Sequence, residues 1–333
     1  YSTDRGNNWK IISPDLTTND PEKQKQNKSG GLTYDATGAE NFTTIIAIAP
    51  SPINRNVIWV GTDDGNVQLT QDRGKTWQNV SKRIFGPPEG SWIPQITAST
   101  YDPQEAVVVI NNYRRNDWKP YVFRTTNYGK SWKAIADEDN VWGYALSYVQ
   151  DPLEPKLQFL GTEFGLYVSI DGSKTWTKWT SGFPTVSTMD LKIHPREHDL
   201  VIGTFGRAAY ILDDIRALRE MAASNEDLMK KRLHFFEPPM AVLAINRQAS
   251  GTRFEANAIF SGQNRKRGAM LTFVYNPGKK KTEGKKEKDL GSKKDNAKEK
   301  KEKVKLEALN SDGKTIRTVK YDVEPGVNRI YWD

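Results

Sequence analysis

Asp63, Asp64, Asp117 and Glu163, together with Arg114, Arg115 and Arg207, are the residues of this chain whose types and surroundings could do chemistry. Trp92, Tyr113, Trp118 and Trp142 fall among them, in the same polar, turn-forming stretches. Glycoside hydrolysis needs two carboxyls about 5–5.5 Å or about 6.5–9.5 Å apart, one with a raised pKa. Asp63, Asp117 and Glu163 are the candidates for such a catalytic pair. Binding makes a different demand. Tryptophan faces stack on sugar rings or peptide side chains, and arginine grips a carboxylate through two parallel bonds. On that reading Asp64, Trp92, Tyr113, Arg114, Arg115, Trp118, Trp142 and Arg207 are ligand contacts, and the ligand is a peptide or a carbohydrate.

Other chemistries lack their residues. There are no cysteines, so neither disulfides nor thiolate metal sites can form. His194 and His198 are four apart, but Pro195 between them breaks the helix that would align them, and His234 stands alone. No metal and no cofactor is expected. Gly61-Thr62-Asp63-Asp64-Gly65 is a strand followed by a turn, not a phosphate-binding entry to a helix. No serine, histidine and aspartate arrangement can be defended.

Which elements would position the candidates? One eight-residue phrase recurs: Ser/Thr-x-Asp/Asn-x-Gly-x-x-Trp. Its copies carry Asp4 and Trp9, Asp72 and Trp77, Asn127 and Trp132, and Asp171 and Trp176, with glycine displaced by one in the last. The acid or amide accepts hydrogen bonds from its own turn, glycine supplies a positive φ, and tryptophan is expected to fold back over the hairpin. Before the phrases come strands such as Ile58-Trp59-Val60-Gly61-Thr62 and Leu157-Gln158-Phe159-Leu160-Gly161-Thr162. Small apolar strands precede those, near residues 45–49, 96–100 and 144–148. The marker residues lie 68, 55 and 44 positions apart, a regular core with variable loops. A decayed copy ends near Asp213.

The phrase resembles the Asp-box of sialidase-like and sortilin-like β-propellers. With Tyr210-Ile211-Leu212-Asp213-Asp214-Ile215 and the closing Glu324-Pro325-Gly326-Val327-Asn328-Arg329-Ile330-Tyr331-Trp332-Asp333, the chain resembles a bacterial family of sortilin-like, glycosyl-hydrolase-like propeller proteins. That resemblance implies an all-β fold: a partial Asp-box propeller of about four to five blades, a short helical linker and an immunoglobulin-like β-sandwich. It also implies a secreted, periplasmic or cell-surface protein. The family's pattern usually has histidine where Phe205 stands, so any role of that histidine is lost here. In such a propeller the boxes occupy the third turn of each blade, opposite the usual binding face, and are structural. The second turns and the crossovers between blades carry the candidates above. A sialidase-type site would want three arginines on three blades and a tyrosine beside an acid, and Arg114 and Arg115 share one loop. The competing view is an ordinary wet rim with tryptophan plugging the blade junctions.

The expected boundaries are 1–212 for blades that begin mid-propeller, 213–232 for the linker and 233–333 for the sandwich. A Lys-rich insertion at 278–304 interrupts the sandwich. The net charge of +8 resides almost entirely there, since residues 279–305 hold 13 Lys against 6 acids. A nucleic-acid reading therefore fails for the remainder. The insertion reads as a solvated loop or as a tether to an acidic partner. Between them, Asp213-Asp214 and Lys230-Lys231-Arg232 bracket a stretch expected to be helical. No apolar run of about 18 residues exists to cross a membrane. Sequons at Asn27, Asn41 and Asn79 carry little weight.

Overall fold

The structure, a computed structural model, describes residues 1–25, 42–242, 265–277 and 302–332. Much of the expected sandwich between 243 and 264, where the sequence reads as strands at 240–246 and 253–259, lies outside them, as do the sequons at Asn27 and Asn41 and nearly all of the Lys-rich insertion. The chain divides into two compact units, Tyr1–Ala223 and Ser224–Asp333.

The first unit is a succession of antiparallel meanders. Its first sheet is β1 (Ile45–Pro50), β2 (Ile58–Thr62), β3 (Val67–Thr70) and β4 (Gln78–Asn79). The second is β5 (Trp92–Ala98), β6 (Ala106–Asn112), β7 (Asp117–Thr125) and β8 (Lys133–Ala136). The third is β9 (Ala145–Gln150), β10 (Gln158–Thr162), β11 (Gly165–Ser169) and β12 (Thr177–Trp179). A fourth sheet has three strands, β13 (Thr188–Ile193), β14 (Leu200–Thr204) and β15 (Ala209–Leu212). Each sheet carries apolar side chains on both faces, which is why the core forms between sheets rather than within one. Trp59, Val108 and Phe123 fill the first gap, Val109, Tyr148 and Trp176 the second, and Phe159, Leu191 and Ile202 the third. The fold is all-β and built of propeller-like blades.

Three of the repeated phrases are turns between third and fourth strands, the first precedes β1, and all four share one geometry. The hydroxyl of Ser2, Thr70, Thr125 or Ser169 accepts from the backbone N–H four residues on, at 2.8–2.9 Å. The Asp or Asn carbonyl-type oxygen likewise accepts from a backbone N–H four residues on, at 2.9–3.0 Å. Two consecutive residues in every turn have positive φ: Arg5 and Gly6, Arg73 and Gly74, Tyr128 and Gly129, Gly172 and Ser173. The displaced glycine of the last copy is thereby explained, since either left-handed position can carry it.

The tryptophans correct the sequence expectation. Trp77, Trp132 and Trp176 reach across to what precedes their own sheet, whereas Trp9 lies against Gly6 of its own turn. Trp77 Nε1 donates to the Ile12 carbonyl at 2.9 Å, and Trp176 Nε1 to that of Ile135 at 2.7 Å. Both acceptors stand three residues after the tryptophan of the previous phrase. Trp132 instead packs edge-on against Trp59, at 5.9 Å between ring centres. A chain that begins mid-propeller implies a lone fourth strand over residues 9–12, but Trp9 is 76% exposed and the segment forms no regular strand. Only Lys10 pairs there, exchanging backbone bonds with Tyr1.

Helix α1 (Arg216–Ala223) is shorter than the charge pattern implies. It ends before Ser224, so Lys230 to Arg232 lie beyond it and its last turn holds no basic residue. Asp214 acts at its start, pairing with Arg216 at 2.6 Å. The helix seals the third core through Ile215 and Ala222.

In the second unit, β16 (Leu233–Phe235), β17 (Ala269–Tyr275) and β20 (Gly326–Trp332) form one antiparallel sheet. β18 (Lys303–Leu309) and β19 (Thr315–Asp322) form a hairpin through Asn310-Ser311-Asp312-Gly313, with Gly313 at φ 76°. Met270, Leu271, Phe273 and Val274 are buried.

Candidate functional site

In a four-stranded meander the second turn lies at the end opposite the third, so the phrase turns and the candidate residues occupy opposite ends of each blade. At the candidate end the chain assembles an aromatic row. The turn between β6 and β7 is a single 3-10 turn, Tyr113–Arg115, closed by Asn116 in the left-handed region at φ 61°. It presents Tyr113, which stacks on Tyr144 with ring centres 4.6 Å apart. Trp118 leans on the same Tyr144 at 5.5 Å. Arg114 lays its guanidinium over the Trp92 ring at 3.3 Å, and Arg115 donates to the Glu89 and Gly90 carbonyls at 2.7 Å each. Arg115 thus anchors the crossover that leads into Trp92.

A second aromatic pair stands one blade on. Trp142 stacks on Phe164 with centres 4.2 Å apart, and Lys178 approaches the Trp142 ring at 5.3 Å. Between Trp118 and Trp142 runs a groove of about 460 Å³, lined also by Asn116, Asp117, Glu138 and Val141. Lys119 pairs with Glu138 at its edge, at 2.9 Å. Trp118 is 48% and Trp142 62% exposed, unusual for indoles that are also stacked.

The acids fare differently. Asp63 and Asp64 are each only 3% exposed. Asp63 accepts from the Thr44 backbone N–H at 2.7 Å; burial, reinforced by Asp64, pushes its pKa up. Asp64 accepts from the Thr18 backbone and hydroxyl at 2.7 Å and from the Thr62 hydroxyl. These two hold the residue 15–18 segment and the start of β1, a structural duty the sequence reading did not foresee. Asp117 accepts from Tyr121 at 3.0 Å and from Asn112 at 3.2 Å. Glu163 accepts from Tyr144 and Ser187 at 2.7 Å each. Burial, then the Glu163 carboxylate, raises the Tyr144 pKa, so its hydroxyl stays a neutral donor. Every candidate carboxyl therefore already accepts from protein donors. Arg207 is exposed in the turn between β14 and β15, without hydrogen bond or ion pair among the described residues.

Tyr144 is the residue that sequence reasoning missed as a site member. A signal existed. Ile96 opposes Val108 and Tyr148 opposes Leu160 in equivalent pairings, and four residues earlier stand Trp92 and Tyr144. Aligning the first strands by register makes Tyr144 the counterpart of Trp92. Among the described residues no cluster of His, Cys, Asp and Glu could hold a metal, and no helix is long and apolar enough to cross a membrane.

The chain matches no family model. Over 110 residues, 33% of the chain, it is 26% identical to a probable oligoxyloglucan-reducing end-specific xyloglucanase of Neosartorya fischeri, and spans 13% of that protein. Among solved structures it resembles the GH74 enzyme of Niastella koreensis, with TM-score 0.40, 13% identity, and 58% of this chain covering 30% of that one. For the GH74 xyloglucanase from Xanthomonas campestris the TM-score is 0.40 and the identity 15%, with 52% of this chain and 29% of that one covered. YCF48 bound to D1 peptide gives 0.38 and 18%, over 51% and 50%.

Proposed function

We propose that the protein binds a glycan in the groove between Trp118 and Trp142. One observation carries this reading: two half-exposed indoles flank a groove of about 460 Å³, and Tyr144 and Phe164 hold each in place from behind. Sugar rings present apolar faces with hydroxyl edges, and a prepositioned indole meets such a face without losing side-chain freedom. Asp117, Asn116, Lys119 and Glu138 supply donors and acceptors for the hydroxyls. The partial identity to a probable xyloglucanase is in keeping with a carbohydrate ligand. The protein is taken as exported from a bacterial cell, on the strength of the sequence resemblance.

Catalysis has one observation in its favour, the Tyr144 hydroxyl held against Glu163. Against it, Tyr144 is buried and its pKa is raised, the opposite of an activated nucleophile. Binding without turnover is the reading the geometry supports better. Calorimetry against a panel of soluble plant and bacterial polysaccharides tests it. Trp118→Ala and Trp142→Ala are each expected to weaken the bound glycan about tenfold. Unchanged affinity in the double variant would sink the proposal. Release of new reducing ends by the parent protein, lost in Glu163→Gln, would favour the hydrolase instead.

A further inference from the structure

The row of aromatics ends on a cation whose hydrogen bonds are all unspent. Arg114 has its planar face against Trp92 at 3.3 Å and, among the described residues, no hydrogen bond or ion pair. Stacking holds the guanidinium in one plane and leaves its edge, where the N–H donors lie, to solvent. A planar fork with free edge donors matches a carboxylate bidentately. The neighbourhood has the same sign. Arg115 keeps its charge while donating to neutral carbonyls, and Lys23 and Lys82 line the adjoining cavity of about 540 Å³. Of the two acids on that cavity, Asp64 is buried against Thr18 and Thr62, which leaves Glu89 as the only acid on that side with its carboxylate uncommitted among the described residues. The nearby acids are committed: Asp117 accepts from Tyr121, Glu138 pairs with Lys119, and Glu163 accepts from Tyr144 and Ser187.

We infer that the glycan bound here is acidic, a polysaccharide whose sugar carboxylate docks on the edge of Arg114 while a neighbouring ring stacks on Trp118. This rests on the glycan reading above and adds a charge requirement to it. Arg114 is then the residue that sets specificity, and the indoles supply affinity common to neutral and acidic chains.

Calorimetry separates the two claims. The probes are polygalacturonate, alginate and hyaluronate, each beside its carboxyl-reduced neutral counterpart, at 150 mM salt, with Arg114→Ala, Arg114→Lys and Trp118→Ala variants. At least one acidic chain is expected to bind about tenfold more tightly than its reduced form. Arg114→Ala should erase that difference without changing the melting temperature, since the side chain is exposed. Arg114→Lys should restore only part of it, because a lysine keeps the charge and loses the fork. Trp118→Ala should weaken acidic and reduced chains alike. Equal binding of acidic and reduced chains, or an acid preference that survives Arg114→Ala, overturns the inference and leaves the glycan reading standing. Binding of no glycan, neutral or acidic, overturns both.

Discussion

Asp72 spends its carboxylate on its own turn: one oxygen accepts from the Thr70 hydroxyl and the Thr76 backbone, the other from the Thr76 hydroxyl. Those bonds hold its pKa at about 2, below the ordinary 3.8. A carboxyl with a depressed folded pKa stabilises the fold above its unfolded pKa and stops doing so as pH falls through the folded one. Thermal melts should therefore show a contribution from Asp72 that fades between about pH 4 and pH 2. Asp72→Ala should melt lower than the parent at pH 7 and converge on it at low pH, with ligand affinity unchanged. Asp72→Asn should be milder, because Asn127 fills the same place in the third turn with the same backbone bond. Equal melting of parent and Asp72→Ala at pH 7 would remove the structural role. Such residues were legible in the sequence because their partners lie within four positions. Tyr144 was not, because its partner Tyr113 belongs to a turn of the preceding sheet and the two meet only when sheets stack. Asp63 and Asp64 were legible as turn acids, but the burial that withdraws them depends on Thr18 and Thr44, 46 and 19 residues away.

At the scale of elements, a Gly-Thr pair closes the second strand of three blades, and its glycine marks where one blade meets the next. A Cβ on Gly161 would lie 2.5 Å from the Thr188 carbonyl oxygen of β13, so no side chain fits. Gly203 holds the equivalent place in the last sheet, where a Cβ would meet only ordinary contacts at 3.7 Å and beyond. Gly161→Ala should destabilise by about 1–3 kcal/mol through overpacking, and Gly203→Ala should be close to neutral. Urea midpoints that move equally for both would refute this account of the contact. Helix α1 depends on a different device. Arg219 pairs at 2.8 Å with Asp151, which is fully buried, and also meets His198 Nδ1 at 2.7 Å. Arg219→Ala leaves that acid uncompensated and should cost about 3–5 kcal/mol. Burial, then the Arg219 charge, lowers the His198 pKa from its ordinary 6.5. The unfolded chain consequently takes up the proton first, and stability should fall as pH drops below 6.5. His198→Gln should flatten that decline between pH 7 and 5; an unaltered slope would assign it elsewhere. The helix was visible in sequence as a charge pattern, but its true anchor, an aspartate 68 residues earlier, was not.

For the molecule as a whole, the last sheet stops at β15, which has no partner strand on its outer side among the described residues. Ile211 on that strand is 61% exposed. An unpaired edge with apolar side chains invites pairing with another chain. Light scattering should show concentration-dependent association for this chain, reduced by Ile211→Lys with little change in melting temperature. A monomer at every concentration would show the edge to be protected. Elsewhere the joints between blades are made from both sides: the indoles of Trp77 and Trp176 bond upstream to Ile12 and Ile135, whereas Gln95 and Tyr101 bond downstream to the Tyr148 and Asp151 carbonyls. A nascent chain leaving the ribosome thus displays each carbonyl before the indole that needs it is made. The indole joints can therefore close in the order of synthesis, while Gln95, Tyr101 and the outer face of the second sheet wait for the third. Stalled chains ending near residue 136 should already resist protease, whereas chains starting near 144 should not, since Trp176 would then have lost its acceptor.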